Sequence, residues 1–147
     1  MADIQILVGS VMGTAQGVAK TMAEKLTALG HCVRVNDNFK KPDLANDQEV
    51  LLICSSNTGA GDIPPNLLPF YLHLRNDFPR IGGRPYGLVN LGDSSYPTFG
   101  EAGQHLEEAM QDLGAARIGD ILVLDATSGE DPNALASDWV EQWATNI

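Results

Sequence analysis

The sequence predicts an α/β fold, a doubly wound parallel sheet of five strands with helices on both faces. Three observations carry this reading. Short apolar runs alternate with segments of helical period along the whole chain. The run VLLIC at residues 50–54 is apolar at every position, as a strand buried on both faces must be. At 147 residues the chain suits one domain with a substantial core, and right-handed crossovers place its helices on the two faces of the sheet.

The elements follow in order. Ile4 to Val8 forms the first strand. Val18, Met22, Leu26 and Leu29, with Ala15, Ala19 and Ala23 beside them, form the apolar stripe of a helix that Gly30 closes. Cys32 to Val35 is a short second strand, and Val50 to Cys54 the third. A helix runs from Leu67 to Asn76, with Pro69 in its first turn, where an amide has no helical partner. Tyr86 to Leu91 is the fourth strand. Phe99, Ala102, Leu106, Met110 and Leu113 keep a helical period, with Thr98 and Glu101 in a T-x-x-E capping box. Ile118 to Leu124 is the fifth strand, and Pro132 to Thr145 a final helix with Trp139 and Trp143 one turn apart.

Composition narrows the function. The net charge of −10 argues against nucleic acid and against anionic membrane surfaces. No apolar stretch reaches the roughly 18 residues of a membrane span, and MADIQILVGS lacks a basic n-region, so the expected compartment is the cytoplasm. Cys32 and Cys54 stand far apart without a CxxC, and are expected to be buried, reduced thiols. His31, His73 and His105 lie away from the odd loops and suggest no catalytic constellation. Charge is unevenly placed: eight of nine basic residues precede position 93, whereas residues 93–147 carry eleven acids. That segment is either an acidic docking face or a solvated surface.

In such sheets ligands bind beyond the C-terminal strand ends. The loops after strands one, three and four are the unusual ones. The first, Ser10-Val11-Met12-Gly13-Thr14, offers a helix start to an anion, though a tight strand–helix turn would use the same residues. No Lys follows Gly13, so it is not a nucleotide P-loop, and glycines at 9, 13 and 17 do not fit G-x-G-x-x-G. A single monophosphate held by amides and hydroxyls fits best. The second loop, SSNTGAGD, is small and glycine-rich and would let a flat ligand approach the backbone, or serve as a long turn. In the third, Pro97 forces Tyr96 into extended backbone, which makes its ring a wall on which a planar heterocycle can stack.

The stretches GSVMGTAQGVA (9–19), SSNTGAGDIPPN (55–66) and LGDSSYPTFG (91–100) resemble, in order and spacing, the three FMN loops of flavodoxins. The likeness is to short-chain flavodoxins of the MioC and YqcA type and covers the whole chain. It implies strand order 2-1-3-4-5 and FMN as cofactor. It further implies that Ser10, Val11, Met12, Gly13, Thr14 and Ala15 wrap the phosphate, with Ser10 and Thr14 as hydroxyl donors. Met12 and Ala15 stand where many flavodoxins carry hydroxyls. Ser56, Asn57, Thr58 and Gly59 would form the second wall, with the Gly59 peptide turning its carbonyl to N5 of reduced flavin. Leu91, Gly92, Asp93, Tyr96, Phe99 and Gly100 would form the third, Asp93 edging the pyrimidine and Tyr96 stacking. Thr58 departs from the pattern, because that position is often aromatic.

The function so implied is low-potential one-electron transfer by a monomer. Electrons would pass from an NADPH-dependent flavodoxin/ferredoxin reductase to acceptor enzymes through the acidic face. The rival on the same fold is an FMN-dependent NAD(P)H:quinone reductase, which needs a second pocket over the flavin. A receiver-like signalling domain would need a phosphoacceptor Asp at the end of the third strand, where Cys54-Ser55-Ser56 stands.

Overall fold

The computed structural model describes residues 2–11, 13–57, 62–95 and 100–147. Strand β1 (Asp3–Gly9) leads into α1 (Thr14–Ala28), and β2 (Cys32–Asn36) into a 3-10 turn (Lys41–Leu44). Then come β3 (Val50–Ser56), α2 (Leu68–Asp77), β4 (Pro85–Gly92) and α3 (Glu101–Asp112). Two short strands, β5 (Ala116–Arg117) and β6 (Leu122–Asp125), precede α4 (Pro132–Ala144). All pairings are parallel, in the order β2-β1-β3-β4, with β5 and β6 both on the outer edge of β4. The expected order is therefore the one found.

The fifth strand is split. Tyr86 pairs with Arg117 and Val89 with Leu122, so two residues of β4 face four of the edge chain. The surplus leaves the ladder as a bulge around Gly119, whose φ of 71° favours glycine, and Arg117 Nε donates to the Gly119 carbonyl at 3.0 Å. An apolar run over 118–124 does not reveal this, because Ile118 and Ile121 stay partly buried while their backbone loops out.

Alternation along the strands splits the core in two. Ile4, Ile6 and Val8 of β1, Leu52 and Cys54 of β3, and Val89 and Leu91 of β4 face α1 and α4, meeting Val18, Met22, Leu26, Val140 and Trp143. Leu7, Leu51, Ile53 and Leu88 face α2 and α3, meeting Phe70, Leu74, Leu106 and Met110. Edge strand β2 is held on by a polar network. Buried Gln5 donates to Glu49 (2.8 Å) and accepts from Asn36 (2.8 Å), while Arg34 pairs with Glu49 (2.9 Å).

Gly30 closes α1 as expected: its φ is 97° and the His31 amide reaches back to Leu26 O at 3.1 Å. Leu29, expected in the apolar stripe, is instead the C-cap and is 45% exposed. Cys54 is buried, and burial pushes its thiol up to about 12; Cys32, expected to be buried, is exposed because β2 is an edge. Pro69 lies in the first turn of α2. Among the described residues no helix is long and apolar enough to cross a membrane.

Trp139 and Trp143 stack on α4 with centroids 5.9 Å apart. The Trp143 indole lies directly on Gly87: a Cβ there would sit 2.6 Å from Nε1 and 3.1 Å from Leu52 Cδ1. We predict that Gly87→Ala destabilises the fold by about 1–3 kcal/mol through overpacking. Chemical denaturation checks this, and unchanged stability would mean that α4 can shift off the sheet.

Candidate functional site

The C-terminal ends of β1, β3, β4 and β6 lie side by side, and side chains tie their loops into one belt. After β1, Ser10 Oγ accepts from the Gly13 amide at 2.9 Å. Gly13, with φ 87°, is the N-cap of α1 and contributes no side-chain cap. The first turn of α1 therefore keeps its donors and the positive end of its dipole for a ligand. The Ser10 hydroxyl, occupied as an acceptor, retains its proton to donate. Val11 is 60% exposed and Thr14 is exposed beside the cleft, while Ala15 is fully buried. Only the backbone of Ala15 can serve an anion. Met12 lies outside the described residues.

Loops one and two touch through Ser56, whose hydroxyl donates to Gly9 O at 3.4 Å. Loops two and three meet at Asn57. Its amide donates to Leu91 O (3.1 Å), and its side-chain oxygen accepts from Asn90 Nδ2 (3.3 Å) and from the Ala102 amide (3.1 Å). Asn57 thus caps α3 from the loop after β3, a role the sequence does not announce. The helix starts at Glu101 with Gly100 (φ 80°) as N-cap, so Glu101 is its first residue and not the third residue of a capping box on Thr98. Buried Asn90 also donates to Ser55 O at 3.0 Å. Gly103 lets α3 approach it, since a Cβ there would meet Asn90 Cβ at 2.8 Å. Thr58, Gly59, Tyr96 and Phe99 lie outside the described residues.

The third loop is fastened to a fourth that sequence reasoning missed, the turn after β6. Asp93 accepts from the Ser95 amide at 2.9 Å. Asp125 accepts from the Ser94 amide (3.1 Å), the Thr127 amide (3.0 Å) and the Thr127 hydroxyl (2.8 Å). The Ser94 side chain and the Thr127 and Ser94 amides hold its carboxyl well below the usual carboxylate range. A cavity of about 260 Å³ opens here. It brings together Thr14, Leu91 and Gly92, which the sequence predicts, with Leu124, Asp125, Ala126, Ser128, Glu130, Pro132 and Leu135, which it does not. The available signal was the position of Asp125 at a C-terminal strand end.

Chemically, an uncapped helix start lies beside a mostly apolar hollow rimmed by hydroxyls and backbone groups. Such a site can hold a phosphate monoester whose remainder is flat and largely apolar. The residues fit FMN.

A family model for flavodoxin matches residues 6–139. The chain is 34% identical to flavodoxin YqcA of Escherichia coli (strain K12) over 149 residues, covering 99% of this chain and 98% of that one. It is 34% identical to protein MioC of the same strain over 143 residues, 97% of each. A solved structure of a cysteine mutant of flavodoxin from Pseudomonas aeruginosa superposes with a TM-score of 0.91 at 34% identity, covering 99% of this chain and 98% of that one. The open helix start, the tied loops and these likenesses agree, and the chain belongs to the flavodoxin family of FMN-binding electron carriers.

Proposed function

We propose that this chain carries single electrons between an NADPH-dependent flavodoxin/ferredoxin reductase and acceptor enzymes, as a cytoplasmic monomer. The single observation that carries the proposal is the open first turn of α1, with Ser10 and Gly13 arranged about it, beside the cavity lined by Thr14, Leu91 and Gly92. FMN, when bound, supplies the redox chemistry; the protein supplies binding, orientation and electrostatics. In this reading Ser10, Thr14 and the amides of residues 11–15 bind the phosphate. Ser56 to Gly59 and Leu91 to Gly100 flank the ring, with Asp93 on the pyrimidine and Tyr96 stacked on it. The loop-to-loop hydrogen bonds hold Ser56, Asn57 and Ser94 of these walls in place before the cofactor arrives.

The reductase and acceptors are assigned by charge. Glu101 and Glu108 are exposed, seven residues apart on one face of α3, a helix that starts at the site. Asp120, Glu130, Asp131 and Asp138 are also exposed on the following segment. A basic partner surface would be steered toward the flavin edge by this field.

The purified protein is expected to be yellow, with about one FMN per chain and no FAD, because the first loop suits one phosphate only. A colourless protein that also leaves added FMN fluorescence unquenched would sink the proposal.

Reduction by a basic NADPH-dependent reductase is expected to slow with rising salt, since the Debye length is about 10 Å at 0.1 M. Glu101→Lys with Glu108→Lys is expected to lower the association rate more than the maximal turnover. Stopped-flow rates indifferent to ionic strength would reduce the acidic segment to a solvated surface.

Asp125 gives a pH test. Its folded carboxyl is held well below its ordinary value of 3.8, so its contribution is fully present above that value and is lost progressively as pH falls from there through the lowered folded value. The apoprotein of Asp125→Asn is expected to unfold at lower temperature than wild type at about pH 5 to 7, and the gap is expected to begin narrowing below about pH 4 and to keep shrinking as the acid strengthens. Thermal melts across that range check it; a gap that widens in acid contradicts the assignment.

A further inference from the structure

Asn66, the last residue of the stretch 55–66, ties the phosphate loop to the turn before α2, beside the contact that Ser56 makes to Gly9. Asn66 sits in the turn where the amides of Leu67 and Leu68 both return to Pro64 O at 2.9 Å. Its Oδ1 accepts from the Ser10 amide at 3.0 Å, and its Nδ2 donates to Val8 O at 2.9 Å and to Asp37 O at 3.1 Å. The bonds to Val8 O and Ser10 N are those that a residue of a parallel strand would make opposite Gly9. Strand β2 pairs with β1 only as far as Leu7 and Asn36. Beyond that point the Asn66 amide stands in for the missing strand, while Ser55 of β3 pairs with Gly9 on the other side.

The approach is close enough to exclude any side chain on Gly9. A Cβ there would lie 2.9 Å from Leu67 Cβ and 2.9 Å from Ser55 Oγ. The turn at 64–67 is thus seated on the last residue of β1. Fixing the Ser10 backbone in turn fixes the Ser10 hydroxyl that accepts from Gly13, one residue before α1 begins.

We infer that Asn66 is a positioning residue for the cofactor phosphate, acting through Ser10 without touching the ligand. The inference rests on the FMN reading above. Its distinguishing consequence is selective: losing Asn66 loosens the phosphate loop and leaves the ring-binding loops alone, because Asn57, Asn90 and Asp125 tie those independently.

The test compares FMN with riboflavin, which lacks the phosphate, on the apoprotein by fluorescence quenching. Asn66→Ala is expected to weaken FMN binding about tenfold, the equivalent of one lost hydrogen bond, and to leave riboflavin binding within about twofold. The isosteric Asn66→Asp, which keeps an acceptor for Ser10 but loses both donated bonds, is expected to weaken FMN further and spare riboflavin. Should either variant fail to fold, wild type decides. FMN and not riboflavin is expected to shift the NMR signals of the Asn66 side-chain amide. Equal losses for the two ligands, no loss for either, or a riboflavin shift as large as that with FMN would overturn the inference. Wild type that binds neither ligand would instead overturn the FMN reading itself.

Discussion

The constraint on which the rest depends is the burial of β1, β3 and β4 on both faces. A parallel sheet so enclosed has no polar face to spare, so binding groups can appear only where the strands end. Those ends expose carbonyls and amides that no next strand satisfies, and buried backbone groups left unpaired are costly. The chain answers with short side-chain amides and hydroxyls. Asn66 completes β1, Asn57 and Asn90 join β3 to β4 and α3, and Asp125 with Ser94 and Thr127 joins β4 to β6. The belt that satisfies the sheet edge also fixes the loops that would receive the cofactor.

Much of this was legible in the sequence. Strand and helix positions follow from apolar period, because burial on one or two faces leaves a direct imprint on residue type. The helix start after the first loop was legible for the converse reason, since a glycine set before a helix is not what an ordinary turn requires; Tyr96 and Pro97 lie outside the described residues. What was hidden is whatever depends on a partner distant in sequence. Asn57 caps a helix that begins 44 residues later, and Asn66 bonds to Ser10 across 56. Nothing local to either residue separates it from a solvent-facing turn residue. The same blindness explains the capping box read at Thr98 and Glu101. Thr98 lies outside the described residues, the helix starts at Glu101, and a capping bond to its Ala102 amide comes from Asn57 in the loop after β3. The split of the fifth strand was hidden because Ile118 and Ile121 remain partly buried beside a backbone that has left the ladder.

Charge divides the molecule along a different line. The acids of the last third are only partly neutralised: Glu107 pairs with Arg117, Asp112 with Arg75 and Glu141 with Lys25. The Arg75–Asp112 and Lys25–Glu141 pairs are exposed enough to add little stability. They do set where uncompensated charge remains, on α3 and the segment leading to α4, next to the cavity. Exposed Glu101 starts the helix at the site, and Glu130 lines the cavity itself.

That placement poses an electrostatic question, since the proposed ligand of this chain of net charge −10 carries a phosphate. The first loop carries no lysine or arginine to offset the repulsion. The favourable terms available are backbone donors and the dipole at the start of α1, whose effect falls off within one turn. Such terms act only if the donors point inward before the anion arrives, because a loop ordered by its ligand would spend interaction energy on its own entropy. A lysine can swing to find a phosphate; a peptide amide cannot. Replacing mobile charge by fixed dipoles therefore shifts the burden of affinity from the residues that touch the ligand to those that hold the backbone. This is why Ser10, Gly13 and Asn66 belong to one device, and why a site without a cation depends on the hydrogen bonds behind it.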